Sequence, residues 1–352
     1  MSGQAEVPQM AMQDEDKKRV LITGATALVS GATGFLGGYL AEMLHERGYR
    51  VRALARTTSD LSRLEALGIE IAIGDLSDPA SLRRATQDQA LVFHTAGKVS
   101  DWGRKEEFFH ANRDGTRNII QACQDSGVER LVHVSSLTVL GLPRDGRLVD
   151  ENSPYASSPP DPYTQSKIAG EKLVREVGGS SGLQATVIRP GVIWGPGDIT
   201  IVPRIVALLR QGRMIYLDQS RNLLGLSHVR NLGEACLLAA NNPACAGETY
   251  NITDGEEITA RDVIDRLADL VDAPRPRRSL PFWAAYGIAT AMKTAARMSR
   301  QEHAPPMTPY GVRLVACNCR YNLEKAMRDL AYQPTIGFDE GIAEMAGEFD
   351  KE

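Results

Sequence analysis

Apolar residues in the first half of the chain fall into short unbroken runs separated by stretches with helical spacing. Val51–Ala55, Ile69–Ile73, Leu91–His94, Leu131–Val134 and Ala185–Ile188 have the continuous apolar character of strands covered on both faces. Ahead of the run at Val51, Leu36, Tyr39, Leu40, Met43 and Leu44 recur at i, i+3, i+4, i+7 and i+8. Gly48 then stands where a helix ends in a left-handed residue. Asp78-Pro79 offers an N-cap followed by a proline at the first helical position. Strands joined by helical crossovers predict an α/β fold with a doubly wound parallel sheet.

After Pro190 the pattern loosens. Gly- and Pro-rich loops, a helix near Arg204–Gln211 and a strand near Thr249–Ile252 predict a smaller, interleaved C-terminal lobe. Leu232–Ala240 reads as a helix returning to the main sheet. The division drawn from this is a tail at 1–18, a dinucleotide-binding domain at 19–190 plus about 226–246, and a substrate lobe at about 191–225 plus 247–352. Near the start, Leu21-Ile22-Thr23-Gly24-Ala25-Thr26 is echoed by Leu28-Val29-Ser30-Gly31-Ala32-Thr33. The second copy runs directly into a glycine turn, so Ala27–Ser30 is taken as the first strand and the earlier copy as a tandem extension.

Composition narrows the classes. A 352-residue chain that is 43% hydrophobic can bury a large core without disulfide staples. A net charge of −4 argues against a nucleic-acid binder with a broadly basic face. The five cysteines are odd in number, and the lone C-x-C at Cys317 and Cys319 has no second pair, so neither a disulfide framework nor a metal site is expected. Residues 1–18 are polar and acidic, read as a disordered tail rather than a signal peptide. A cytoplasmic protein is the expectation.

Gly31-Ala32-Thr33-Gly34-Phe35-Leu36-Gly37 is a G-x-x-G-x-x-G between an apolar run and an amphipathic helix. There glycines permit a tight turn and close approach of a pyrophosphate to a helix N-terminus, the Rossmann arrangement. Gly31, Thr33, Gly34, Phe35, Leu36 and Gly37 are therefore candidate cofactor residues. The second strand ends in Arg56, with no acid before Asp60. A guanidinium there suits a 2′-phosphate, so NADP(H) is preferred and NAD(H) is the alternative; Arg52 lies close by in sequence.

Tyr163 and Lys167 stand four apart and share one face of a helix. A tyrosine of pKa about 10 is a poor base near neutrality, and a neighbouring ammonium together with an oxidised nicotinamide is expected to lower it. Ser135-Ser136 ends the run Leu131–Val134, at the sheet edge where α/β proteins bind ligands, and a hydroxyl there can steady a substrate oxygen. Tyr321 and Lys325 repeat the spacing in the distal tail, where a packed or surface tyrosine is expected.

Taken together, these motifs resemble the extended short-chain dehydrogenase/reductase family over about residues 19–340. Gly74-Asp75-Leu76 looks like the family's adenine-contacting stretch, which implicates Asp75 and Leu76. Val92 to Gly97 resembles the fourth strand entering the cofactor cleft, implicating Ala96 and Gly97. Asn112 with Gly115-Thr116-Arg117-Asn118 is similar to the N-x-x-G-T-x-N helix. Arg189 to Gly197 is similar to the nicotinamide loop, implicating Pro190 and Val192. Ser136, five before Gly141, occupies the family's catalytic position. The resemblance thus implies Ser136, Tyr163 and Lys167 as the catalytic set, with Tyr163 and Lys167 also at the cofactor.

Within that family, Ser136-Leu137-Thr138 lacks the two acids that sugar dehydratases carry after the catalytic hydroxyl. Leu224 stands where nucleotide-sugar epimerases commonly have a diphosphate-binding arginine, with Arg221 or Arg230 as substitutes. Leu280 to Ala289, followed by Lys293, Arg297 and Arg300, is an aromatic, basic-flanked segment resembling that of 3β-hydroxysteroid dehydrogenase-like members and bacterial β-keto acid reductases. It would cap a lipophilic substrate, rest on a membrane surface through residues 280–300, or pack as an ordinary core or homodimer helix. The expected function is an NAD(P)(H)-dependent oxidoreductase interconverting a secondary alcohol and a ketone on a lipophilic substrate, of 3β-hydroxysteroid or long-chain β-keto acid type, with Tyr163 as acid/base. The alternatives are a nucleotide-sugar epimerase with retained cofactor and a non-catalytic NADP(H)-sensing protein.

Overall fold

The computed structural model describes residues 24–178, 182–299, 301 and 303–349. The tail at 1–18, the first half of the earlier echo copy and Arg300 lie outside them. The first strand, β1 (Thr26–Ser30), contains the expected Ala27–Ser30 and leads through the glycine turn into α1 (Phe35–Glu46). The alternation continues through β2 (Arg50–Ala55), α2 (Ser62–Ala66), β3 (Glu70–Ile73), α3 (Pro79–Thr86) and β4 (Leu91–His94). Helix α4 (Lys105–Phe109) passes through a wide π-helical turn, His110–Asp114, into α5 (Gly115–Asp125), followed by β5 (Arg130–Val134). Then come β6 (Leu148–Val149), α6 (Pro162–Gly178) and β7 (Gln184–Pro190).

Beyond Pro190 the order is β8 (Val192–Trp194), α7 (Val202–Arg210), β9 (Tyr216–Leu217), β10 (Leu226–His228), α8 (Val229–Asn241) and β11 (Thr249–Ile252). The chain ends with α9 (Ala260–Leu270), β12 (Ser279–Leu280), α10 (Phe282–Met298), α11 (Pro309–Val315), β13 (Arg320–Tyr321), α12 (Glu324–Leu330), α13 (Phe338–Glu344) and α14 (Ala346–Phe349).

Seven strands form one parallel sheet in the order β11-β7-β5-β4-β1-β2-β3. Chain order reverses direction between β1 and β4, which opens a crevice beyond their carboxyl ends. Local chemistry sets the helices: the Asp78 side chain accepts from the Ala80 N–H at 3.0 Å, and Gly48, at φ +79°, follows the end of α1. Each face of the sheet has its own core. Leu40, Leu44, Phe93, Leu232 and Tyr250 fill one, and Leu28, Leu82, Ile119, Leu131 and Val187 the other.

The smaller lobe packs separately around Trp194, Val206, Tyr216, Ile264 and Phe338. One boundary needs correction. The division read from the sequence puts residues 247–352 in the substrate lobe, whereas β11 pairs with β7, from Thr249 opposite Val187 to Ile252 opposite Pro190, and forms an edge of the main sheet. Local apolar character marks Thr249–Ile252 as a strand; it carries no information on which sheet receives it.

Candidate functional site

The glycine turn is shaped by backbone crowding. Gly31 adopts φ +78°, and a Cβ there would stand 2.8 Å from the Ala96 nitrogen. A Cβ on Gly37 would lie 2.1 Å from the Gly31 carbonyl oxygen. The turn therefore lies against the Thr95–Ala96 backbone, with Thr95 Oγ1 donating to the Ser30 carbonyl at 2.7 Å. Gly34 begins α1 without any side-chain cap, so the first N–H groups of a 12-residue helix face the crevice. This cradle, too tight for a Cβ and electropositive at its mouth, fits a pyrophosphate. Thr33 and Gly34 are exposed at it, and Phe35 is half-buried. The Leu36 side chain instead packs into the core, so only its backbone belongs to the turn.

Beside the turn, Arg56 follows β2 directly and is exposed. Asp75 lies across from it, accepting from the N–H and hydroxyl of Ser77 at 2.8 and 2.6 Å. Those bonds, with a smaller contribution from Arg56, hold its carboxyl below the usual range. Leu76 packs on Gly115, and its carbonyl accepts from Asn118 Nδ2 at 2.8 Å. Arg52 is committed elsewhere, to Glu70 at 2.8 Å and to the carbonyls of Ala85 and Gln87. Of the two arginines near the ribose end, Arg56 alone faces outward.

The other half of the site hangs from α6. Asn112, in the π-helical turn, accepts from the Lys98 N–H at 2.7 Å and donates to Ser166 Oγ at 2.9 Å. It thereby ties the Gly97 loop to α6. Lys167 is buried and donates to the Val134 carbonyl at 2.6 Å. Burial lowers its pKa to about 8, partly offset by Glu171. Tyr163 is also buried, and burial raises its phenol to about 12, opposed by a hydrogen bond with Ser136. Desolvation is thus the largest influence on this phenol, while the Lys167 ammonium is held by the Val134 carbonyl. Pro190 is buried beside β11, and the Val192 N–H donates to the Gly225 carbonyl at 2.7 Å.

The two serines part company. Ser135 Oγ donates to Glu171, which also accepts from Tyr155 at 2.9 Å and forms a fully buried ion pair with Arg189. Ser136 caps the short turn Leu137–Leu140, accepts from Thr138 Oγ1 at 3.0 Å and meets Tyr163. Sequence reading missed Glu171; its one signal is that it continues the four-residue spacing of Tyr163 and Lys167. The decoy pair is dispersed: Tyr321 lies in β13 among Cys317 and Cys319, while Lys325 in α12 pairs with Glu248 at 2.8 Å. All five cysteines are free and buried.

A cavity of about 250 Å³ opens beside Tyr163, walled by Trp102, Phe108, Tyr286 and Tyr310. Tyr310 meets Tyr163 edge to face, with ring centroids 5.8 Å apart. Helix α10 gives one face to this cavity and turns Trp283, Ile288 and Met298 outward. Among the described residues, no helix is long and apolar enough to cross a membrane. Leu224 packs against the small-lobe core, and Arg230 is paired with Glu344 at 2.9 Å.

The sequence matches the NAD dependent epimerase/dehydratase family over residues 27–253. It is 34% identical over 322 residues to the 2-alkyl-3-oxoalkanoate reductase of Stenotrophomonas maltophilia, covering 90% of this chain and 96% of that protein. It is 30% identical to the mouse (Mus musculus) sterol-4-alpha-carboxylate 3-dehydrogenase, decarboxylating, covering 89% and 88% of the two chains. The crystal structure of gox2253 superposes with a TM-score of 0.76 at 31% identity, over 92% of this chain and 99% of that one. The UDP-glucose 4-epimerase of Thermus thermophilus, in complex with NAD, shares the fold at TM-score 0.73 and 24% identity, over 93% and 99%. The chain belongs to the NAD dependent epimerase/dehydratase family and is an enzyme of its extended short-chain dehydrogenase/reductase type.

Proposed function

We propose that this enzyme is an NADP(H)-preferring oxidoreductase that interconverts a secondary alcohol and a ketone on a lipophilic substrate of 3β-hydroxysteroid or long-chain β-keto acid type. The observation that carries this is that Tyr163, hydrogen-bonded to Ser136, lines an aromatic-walled cavity. The names of the reductase and sterol dehydrogenase relatives point the same way.

The glycine cradle, with Asp75, Leu76, Ala96, Gly97, Pro190 and Val192, would hold the dinucleotide, and Arg56 would take its 2′-phosphate. When bound, the nicotinamide supplies or accepts the hydride. Ser136 orients the substrate oxygen by hydrogen bonding. Tyr163 gives its Oη proton to that oxygen as the ketone becomes an alcohol, and takes it back in the reverse sense. A phenol pushed to about 12 keeps its proton near neutrality, so Tyr163 holds a proton to give in the reductive sense. Lys167 spends one of its three N–H donors on Val134, leaving two for the ribose hydroxyls.

Reduced-nicotinamide absorbance with steroid and β-keto acid panels tests the reading. Tyr163→Phe should lower kcat about 10²–10⁴-fold with cofactor affinity kept; near-normal turnover in that variant would remove Tyr163 from the chemistry. NADPH should bind more tightly than NADH, and equal affinities would withdraw the role of Arg56. A retained-cofactor epimerase would show product without net absorbance change. The packing of Leu224 and the Arg230–Glu344 pair do not favour that alternative.

A further inference from the structure

The cavity beside Tyr163 has both aromatic and cationic lining residues. On α10, Tyr286, Thr290, Lys293, Thr294 and Arg297 recur at i, i+4, i+7, i+8 and i+11, and all five line it. From α11 come Tyr310 and, three residues on, Arg313. Three cations thus converge on one space from two helices. Among the described residues, none of the three has an acidic partner at ion-pair distance or a side-chain hydrogen bond. Some arginines elsewhere in the same lobe are paired, Arg275 with Asp269 at 2.6 Å and Arg320 with Glu257 at 2.7 Å, but none of those lines this cavity.

Two acids also line the cavity, and each is already engaged. Asp161 accepts from the Thr164 N–H at 2.7 Å at the start of α6, and Asp101 accepts from Thr308 Oγ1 at 2.8 Å and faces Arg204 at 3.5 Å. Lys293 is half-buried, and burial together with repulsion from Arg297 lowers its pKa, with Asp161 opposing. Uncompensated like charges on one cavity wall cost stability unless an anion is received there.

We propose that Lys293, Arg297 and Arg313 form the seat for a carboxylate of the substrate, so that this enzyme selects an oxo or hydroxy acid over its neutral analogue. The inference rests on the oxidoreductase reading and names the substrate class within it. Arg313 lies about 5 Å, one helical turn, beyond the ring that touches Tyr163, so the carboxylate is near the reacting carbonyl rather than at the far end of a chain. A guanidinium fork suits a carboxylate through two parallel hydrogen bonds. The apolar remainder would lie against Trp102, Phe108 and Tyr286.

The test compares 3-oxododecanoate with its methyl ester on the whole enzyme, by NADPH oxidation and by calorimetric binding in the presence of NADP⁺. The wild type should favour the acid in kcat/KM by about 10–100-fold, the range of one charge-assisted interaction. Arg297→Gln, at an exposed position, and Lys293→Gln should each raise KM for the acid several-fold while leaving kcat, the ester and NADPH affinity unchanged. Equal use of acid and ester by the wild type, or equal losses on both in the variants, overturns the seat and leaves the oxidoreductase reading standing. Acid that binds in preference to ester but is never reduced supports the seat and removes the reading. Acid that neither binds nor reacts overturns the seat, and the oxidoreductase reading falls with it only if the steroid panel is also untouched.

Discussion

Lys167 pays for its position by losing water. Its pKa is near 8 when folded and about 10.5 when exposed, so between those values the unfolded chain binds the extra proton. The burial cost is complete below about 8 and vanishes above about 10.5, so this residue's contribution to stability improves as pH rises through that window. Lys167→Met should therefore raise stability at pH 7 by up to ~3 kcal/mol, less the roughly 1 kcal/mol contributed by the bond to Val134. That gain should shrink steadily from pH 8 to 10.5 in denaturant titrations; a pH-independent difference would contradict it. The spacing of Tyr163 and Lys167 shows that they share a helix face. It does not show that Lys167 bonds to a strand carbonyl or that Ser135 turns toward Glu171, because those partners lie on elements far away in sequence.

At the scale of elements, the five apolar runs all appear as strands of the main sheet, and four are largely buried on both faces. Strand β3 instead lies at the sheet edge, half-exposed and with Ile73 outward, so the expectation of burial on both faces is corrected there. The short ladders β8–β10, β9–β12 and β6–β13 leave no run of that length. Two or three residues are too few to show a period, and their partners come from distant loops. The junction of β1 and α1 is legible for a stricter reason, since its glycines answer to backbone contact. Gly37→Ala would drive a methyl into the Gly31 carbonyl, so dinucleotide affinity should fall at least about 10-fold. Gly287→Ala, in α10 with open space around it, should keep affinity and add about 1 kcal/mol of helix stability. Equal behaviour of the two variants in cofactor titrations would show that crowding at the turn is not what matters.

For the whole molecule, the joint between lobes centres on Asp254, just beyond β11. Its carboxylate accepts from Trp194 Nε1 at 2.8 Å, from the His228 N–H at 2.8 Å and from Asn231 Nδ2 at 2.9 Å. Asn231 in turn holds the Thr335–Ile336 backbone at 3.0 Å. Asp254→Ala would leave several buried donors without acceptors, a loss of about 3 kcal/mol. The urea midpoint should fall accordingly while dinucleotide binding survives; an unchanged midpoint would mean that the joint carries no load. The sequence holds no sign of this joint, since an aspartate after a strand reads as an ordinary turn residue.

The main sheet contains no hairpin, and this governs how the chain is made. Its edge strand β11 emerges only after β8, α7, β9, β10 and α8, and α8 supplies Leu232, Ala235, Cys236 and Ala239 to the core over one face. A nascent chain that has reached Gly225 therefore presents the open rim of β7 and an uncovered apolar surface at the ribosome exit. A fragment ending between Gly225 and Ile252 should therefore aggregate rather than fold as a separable cofactor domain, a difference that light scattering of the 24–225 and 24–255 fragments would read.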